Sequence, residues 1–150
     1  MDLGLKNKNA VITGASQGIG EAIAHSLADE GCNVAICARN KERLDKTVSD
    51  LQAKGVKAIG VIADLSSEAG CQLFIEEAAK KLGSIQILVN NVGGMIPGTL
   101  ATMDESTWST AINVNLMAAI YTTKHAVEHL KNNEWARILN VTGFSGTQLL

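Results

Sequence analysis

The chain has 150 residues, 46% of them hydrophobic but only 3% aromatic, and a formal net charge of -2. That is enough apolar material for one domain whose core rests on Val, Ile, Leu and Ala, a composition suited to a parallel sheet covered by helices. The near-balanced charge, with no long run of one sign, excludes the basic footprint of a nucleic-acid or anionic-membrane binder, and no apolar run reaches the ~18 residues that span a bilayer.

Cys32, Cys37 and Cys71 show neither metal-ligand nor redox spacing. Cys32 and Cys37 flank or sit within one expected strand and read as small core residues, and no metal site is expected. The odd count, with no apolar signal core at the N-terminus, points to a reducing compartment and hence the cytoplasm.

Strands and helices alternate from end to end. A strand is expected over 9–13, followed by a glycine-rich turn and a helix over 18–30 with Ala22, Ile23, Ser26 and Leu27 on one face. A second strand follows over 33–37 and a second helix over 41–54, with Leu44, Val48 and Leu51 on its buried stripe. The third strand is expected over 57–63, and a helix from Ser67 to just before Gly83 then turns Leu73, Phe74, Ala78 and Leu82 to the core. The fourth strand, 85–89, leads into a glycine-rich loop. One long helix over 105–131 carries Trp108, Ile112, Leu116, Ala119, Thr123, Val127 and Leu130 at helical spacing, and a fifth strand covers 137–141. Parallel strands need long crossovers, so the expected class is α/β, an open doubly wound parallel sheet in a single domain over 1–150. Ligands of such sheets sit beyond the carboxyl ends of the strands, where the strand order reverses.

That rule selects the candidate residues. After strand one comes Thr13-Gly14-Ala15-Ser16-Gln17-Gly18-Ile19-Gly20. Gly14 allows a turn closed to residues with a Cβ, Gly18 lets a diphosphate approach the backbone, and Gly20 lets the helix lie close to the strand. The spacing G-x-x-x-G-x-G differs from the commoner G-x-G-x-x-G. After strand two, where a carboxylate would bind both hydroxyls of an adenosine ribose, stand Ala38 and Arg39. A guanidinium pairs with a 2′-phosphate, so NADP is expected over NAD. Asp64, after strand three, can accept from an adenine amino group or cap the next helix, and the sequence does not choose. Asn90 and Asn91 can bridge neighbouring strand ends and leave Gly93 free to approach a coenzyme. Asn115, between Val114 and Leu116 in the long helix, is expected to point inward as a buried amide that needs partners.

These motifs together resemble the N-terminal part of the short-chain dehydrogenase/reductase family, most of all its 3-oxoacyl-carrier-protein-reductase-like and tropinone-reductase-like members. The resemblance rests on the glycine turn, Asp64-Leu65, Asn90-Asn91-Val92-Gly93, Asn113-Val114-Asn115-Leu116 and Arg137-Ile138-Leu139-Asn140-Val141, in the family's order and spacing. It implies an NAD(P)-dependent oxidoreductase that moves a hydride between nicotinamide and a carbonyl/alcohol substrate. The coenzyme residues it implies are Gly14, Ser16, Gln17, Gly18, Ile19, Gly20, Arg39, Asp64, Leu65, Asn91, Val92 and Gly93, and it gives Asn115 the role of anchoring a water in the proton relay. It also implies a homo-oligomer at full length, assembled through the long helix.

Three departures accompany it. No Tyr-x-x-x-Lys occurs: Tyr121-Thr122-Thr123-Lys124 is one residue short and lies inside the long helix, as a structural feature. The family's tyrosine would fall past Leu150, so the chain is expected to be truncated after about the fifth strand, leaving that strand as an exposed edge. The family's serine position holds Gly143, with Thr142 or Ser145 as the hydroxyls that could stand in. The alternative is a catalytically inactive nucleotide-binding fragment or degenerate homologue.

Overall fold

In the computed structural model, which describes residues 2–143, five parallel strands form one sheet in the order β3-β2-β1-β4-β5. They are β1 (Asn9–Ile12), β2 (Asn33–Ala38), β3 (Ala58–Ile62), β4 (Ile87–Asn90) and β5 (Arg137–Asn140). Connecting them are α1 (Gly18–Asp29), α2 (Lys41–Gln52), α3 (Glu68–Leu82), α4 (Glu105–Ile112) and α5 (Ala118–Lys131). The doubly wound α/β architecture expected from the sequence is the one observed.

The strand residues explain the two layers. β1 is buried at every position, and its side chains alternate: Val11 joins a core with Phe74, Ile75 and Leu88, while Ala10 and Ile12 join one with Ala24, Ala28, Leu44 and Leu51. Period two along a strand buried on both faces gives this split. Each fully buried Val, Leu, Ile or Phe contributes about 1.5–3 kcal/mol relative to exposure.

Several expected helix faces are displaced. The buried face of α1 is Gly20, Ala24 and Ala28, whereas Ala22 and Ser26 are exposed. The smallest residues face the sheet because α1 approaches it too closely for larger ones. In α3, Cys71 and Ile75 join Phe74 and Ala78, and Leu73 faces solvent. The long helix runs over 105–131 as expected but is not α-helical throughout. A π-helical turn over Asn113–Met117 separates α4 from α5. The residue it inserts shifts the phase of the apolar stripe. Ala118, Thr122, Ala126 and Leu130 become the buried row, and Trp108, Ile112 and Leu116 lie exposed.

β5 is an edge, as expected, with all four residues exposed. Asn90 ties it to the sheet, its Nδ2 donating to Asn140 Oδ1 at 2.9 Å and to Thr123 Oγ1 at 3.0 Å.

Candidate functional site

The strand order reverses between β1 and β4, and a cleft of about 410 Å³ lies beyond their carboxyl ends. That is within the range of small-molecule sites. All twelve residues singled out for coenzyme contact line it: Gly14, Ser16, Gln17, Gly18, Ile19 and Gly20 from the first turn, Arg39 after β2, Asp64 and Leu65 after β3, and Asn91, Val92 and Gly93 after β4. Cys37, Ala38, Ala63, Ser66 and Val114 complete the wall.

Thr13 organises the crevice. Its buried Oγ1 accepts from the Asn91 N–H at 2.8 Å and the Val92 N–H at 2.9 Å. The Asn91 amide returns the connection, Nδ2 donating to the carbonyls of Thr13 and Gly14, each at 3.0 Å. Those bonds clamp the glycine turn to the end of β4. Gly20 is required beneath them, since a Cβ there would lie 2.4 Å from Asn91 Nδ2 and 2.5 Å from the Gly14 carbonyl oxygen. Gly14 and Gly18 both take positive φ, +64° and +63°, and Gly18 has nothing within 4 Å of where a Cβ would stand. The backbone is therefore bare where α1 begins. Gln17, its N-cap, makes no side-chain cap bond, so the first-turn N–H groups point outward as anion donors.

The charges around the cleft are arranged simply. Arg39 is exposed at the rim, and among the described residues it has no carboxylate partner at ion-pair distance. Asp64 does not cap α3, a role taken by Ser67, whose side chain accepts from the Gly70 N–H. Asp64 instead accepts the Ser66 N–H at 3.0 Å. That bond, the Ser66 hydroxyl and the nearby Arg39 charge hold its carboxyl below the usual range. The three cysteines are buried core residues. Burial pushes the Cys37 thiol up to about 12 and the Cys71 thiol up to about 11.

Asn115 departs from expectation. It lies on the π turn and is exposed rather than buried, because α4 and the π turn bury nothing among the described residues. Its amide is nonetheless fully engaged. Oδ1 accepts from the Gly94 N–H at 2.9 Å, while Nδ2 donates to the Gly94 and Ala111 carbonyls at 3.0 Å each. Asn115 thus pins the loop after β4 beside the cleft.

Lys124 of the near-motif pairs with Glu68 of α3 at 2.6 Å, and Tyr121 packs half-buried against the core. Both act as helix-packing residues. Gly143 and Thr142 are exposed in the segment after β5, and Ser145 lies outside the described residues. Sequence reasoning passed over Thr13 as a site residue. Thr13 carried a signal, a hydroxyl ending an otherwise apolar strand.

The short chain dehydrogenase family profile matches residues 8–149. An uncharacterized oxidoreductase, YvrD, of Bacillus subtilis is 36% identical over 150 residues, covering all of this chain and 56% of that protein. The 3-oxoacyl-[acyl-carrier-protein] reductase FabG of Staphylococcus aureus is 34% identical over 140 residues, 93% of this chain and 57% of that protein. Among solved structures, L-sorbose reductase from Gluconobacter frateurii, complexed with NADPH and L-sorbose, superposes with a TM-score of 0.96 at 31% identity over all of this chain and 57% of that one. The chain thus spans a little over half the length of the relatives it matches. On the profile match, the strand order and the crevice together, it belongs to the short chain dehydrogenase family.

Proposed function

We propose that this protein is an NADP-dependent oxidoreductase moving a hydride between nicotinamide and a carbonyl/alcohol substrate, with residues 1–150 forming its nucleotide-binding domain. The observation that carries the reading is the bare glycine turn at the strand reversal, with Arg39, which forms no ion pair among the described residues, at its rim. The coenzyme, when bound, supplies the hydride chemistry. The chain's own residues hold and orient it. First-turn N–H groups of α1 receive the diphosphate beside Gly18. Arg39 receives the 2′-phosphate through parallel charge-assisted hydrogen bonds. Asp64 and Leu65 border the adenine, and Asn91, Val92 and Gly93 border the ribose and nicotinamide side. Asn115 holds the Gly94 loop in place, and Thr142 or Ser145 would supply the hydrogen bond to the substrate oxygen. The NADPH complex of the sorbose reductase and the name of the ketoacyl reductase support this choice of coenzyme and reaction class.

Two experiments test it. In a fluorescence titration NADPH should bind more tightly than NADH, and Arg39→Ala should remove ~1.5–3 kcal/mol of NADPH affinity, one to two decades. Equal binding of the two coenzymes would refute the role of Arg39. A hydride-transfer assay on the full-length protein across a panel of ketones tests the reaction. Retained NADPH binding without turnover of any ketone would leave a nucleotide binder in place of an enzyme.

The same reading includes self-association. Trp108, Ile112, Leu116 and Ile120 form an exposed apolar row along α4, the π turn and α5. Burying such a row against a second copy removes it from water. A stable monomer of the 150-residue chain in size-exclusion chromatography would count against assembly through this face.

A further inference from the structure

We propose that Arg43, bonded to the cleft-lining Gln17, is a second selector of the 2′-phosphate, acting with Arg39. The inference rests on the NADP reading above and adds to it a residue that no motif or spacing marks. Arg43 lies in the first turn of α2, and its backbone N–H donates to the N-cap Asn40 Oδ1 at 2.9 Å, which fixes where its side chain starts. That side chain crosses to the other helix of the cleft, where its Nη1 donates to Gln17 Oε1. Gln17 is the N-cap residue of α1, yet its side chain caps nothing there. It is committed to Arg43 instead, 26 positions away.

Two consequences follow from this bridge. The Gln17 side chain is drawn away from the first turn of α1, which leaves those N–H groups to the diphosphate. The Arg43 guanidinium is anchored by a neutral acceptor, the side chain of the cleft-lining Gln17. Of its five N–H donors, the Gln17 bond uses one. Among the described residues neither Arg39 nor Arg43 forms an ion pair, although Lys41 in the same turn of α2 pairs with Asp45. The nearby carboxylates are otherwise engaged. Asp64 accepts from Ser66, and the Glu21 Oε1 of α1 lies 3.4 Å from Thr47 Oγ1.

An anion seated between Gln17 and Arg39 would meet both guanidinium groups. A phosphate with up to two charges and three free oxygens can accept from both. The diphosphate does not fit this role, because its place is at the start of α1. In a sheet of this strand order the groups after β2 and at the start of α2 border the adenosine ribose. The anion they meet is therefore on its 2′ position, present in NADP and absent from NAD.

The test is a fluorescence titration of NADPH and of NADH on the full-length protein and on Arg43→Gln, Arg43→Lys, Gln17→Ala and Arg39→Ala. Arg43→Gln should weaken NADPH about tenfold and leave NADH within about twofold, the size expected for one charge-assisted contact. Arg43→Lys should restore part of the loss, and Gln17→Ala should weaken NADPH by less than Arg43→Gln. An equal loss for both coenzymes in Arg43→Gln would overturn the proposal, because Arg43 would then support the turn and not the 2′-phosphate. If Arg39→Ala abolishes the NADPH preference while Arg43→Gln leaves it intact, the Arg43 role falls and the NADP reading stands. If the preference survives in both variants and in the Arg39→Ala/Arg43→Gln double variant, both fall.

Discussion

The two flanks of the sheet are finished to different degrees. Around β1 every strand residue is buried, and the turn that follows is clamped to β4 by four hydrogen bonds through Thr13 and Asn91. Around β5 every strand residue is exposed, and neither α4 nor the π turn buries a residue. The contrast separates two kinds of apolar residue with similar composition. Those near β1 build the platform on which a nucleotide can rest. Those on α4 and β5, such as Trp108, Leu116 and Leu139, face outward.

Deleting a side chain from each flank breaks the comparison most directly. Phe74 is fully buried in the layer formed by α3 and α5. Phe74→Ala should cost about 3–5 kcal/mol, seen as a large fall in the urea midpoint of the 150-residue chain. A loss under about 1 kcal/mol would mean that this flank is as loosely packed as the other.

Thr13→Val sharpens the comparison at the site itself. The shape is kept, but the Asn91 and Val92 N–H groups lose their shared acceptor. Two stranded donors in a part-buried position should cost about 1–3 kcal/mol and weaken NADPH and NADH alike. That common loss distinguishes the clamp from Arg39, whose replacement should affect NADPH alone. Unchanged coenzyme binding in Thr13→Val would show that the turn holds its shape without β4.

What the sequence revealed, and what it hid, follows the same division. The strand-end residues were legible because their types are costly elsewhere: glycines at Gly14 and Gly18, whose φ is positive, and asparagines that end a buried strand. Asn91 bridges strand ends as anticipated because a carboxamide can donate to two carbonyls at once. The face of α1 was misjudged because Ala22 and Ala24 look alike in a periodic pattern, and only the closeness of α1 to the sheet decides between them. Asn115 was misplaced for a different reason. The π turn changes the helical phase, and no propensity marks where an extra residue enters a helix. Arg43 stayed hidden because its partner lies in another helix, beyond the reach of spacing arguments.

Leu116 should show the opposite behaviour to Phe74. It is 55% exposed on the π turn, so Leu116→Ser should change the stability of the isolated chain by no more than about 0.5 kcal/mol. The same substitution should weaken self-association if the row from Trp108 to Ile120 is a contact face. Analytical ultracentrifugation alongside urea unfolding separates the two effects. A large loss of monomer stability would mean that the row packs on its own chain.

The smallest effect belongs to Asp64, on the finished flank but at its solvent side. Its carboxyl is held below the ordinary value by the Ser66 N–H, the Ser66 hydroxyl and the Arg39 charge. A group depressed in the folded state adds stability that is fully present above its unfolded pKa of about 3.9. That stability is lost as pH falls through the lower folded value. Because Asp64 is exposed, screening limits the contribution to about a few tenths of a kcal/mol. Asp64→Asn keeps an acceptor for the Ser66 N–H but removes the titration. Its acid unfolding curve should lie flatter than that of the parent below about pH 4, and the two should converge at the lowest pH. In Arg39→Ala the parent's acid dependence should weaken in the same direction, since one of the charges that depresses Asp64 is gone. If Arg39→Ala leaves that dependence untouched, Arg39 is turned away from Asp64 and towards solvent, and the electrostatic unity of the nucleotide flank fails at its rim.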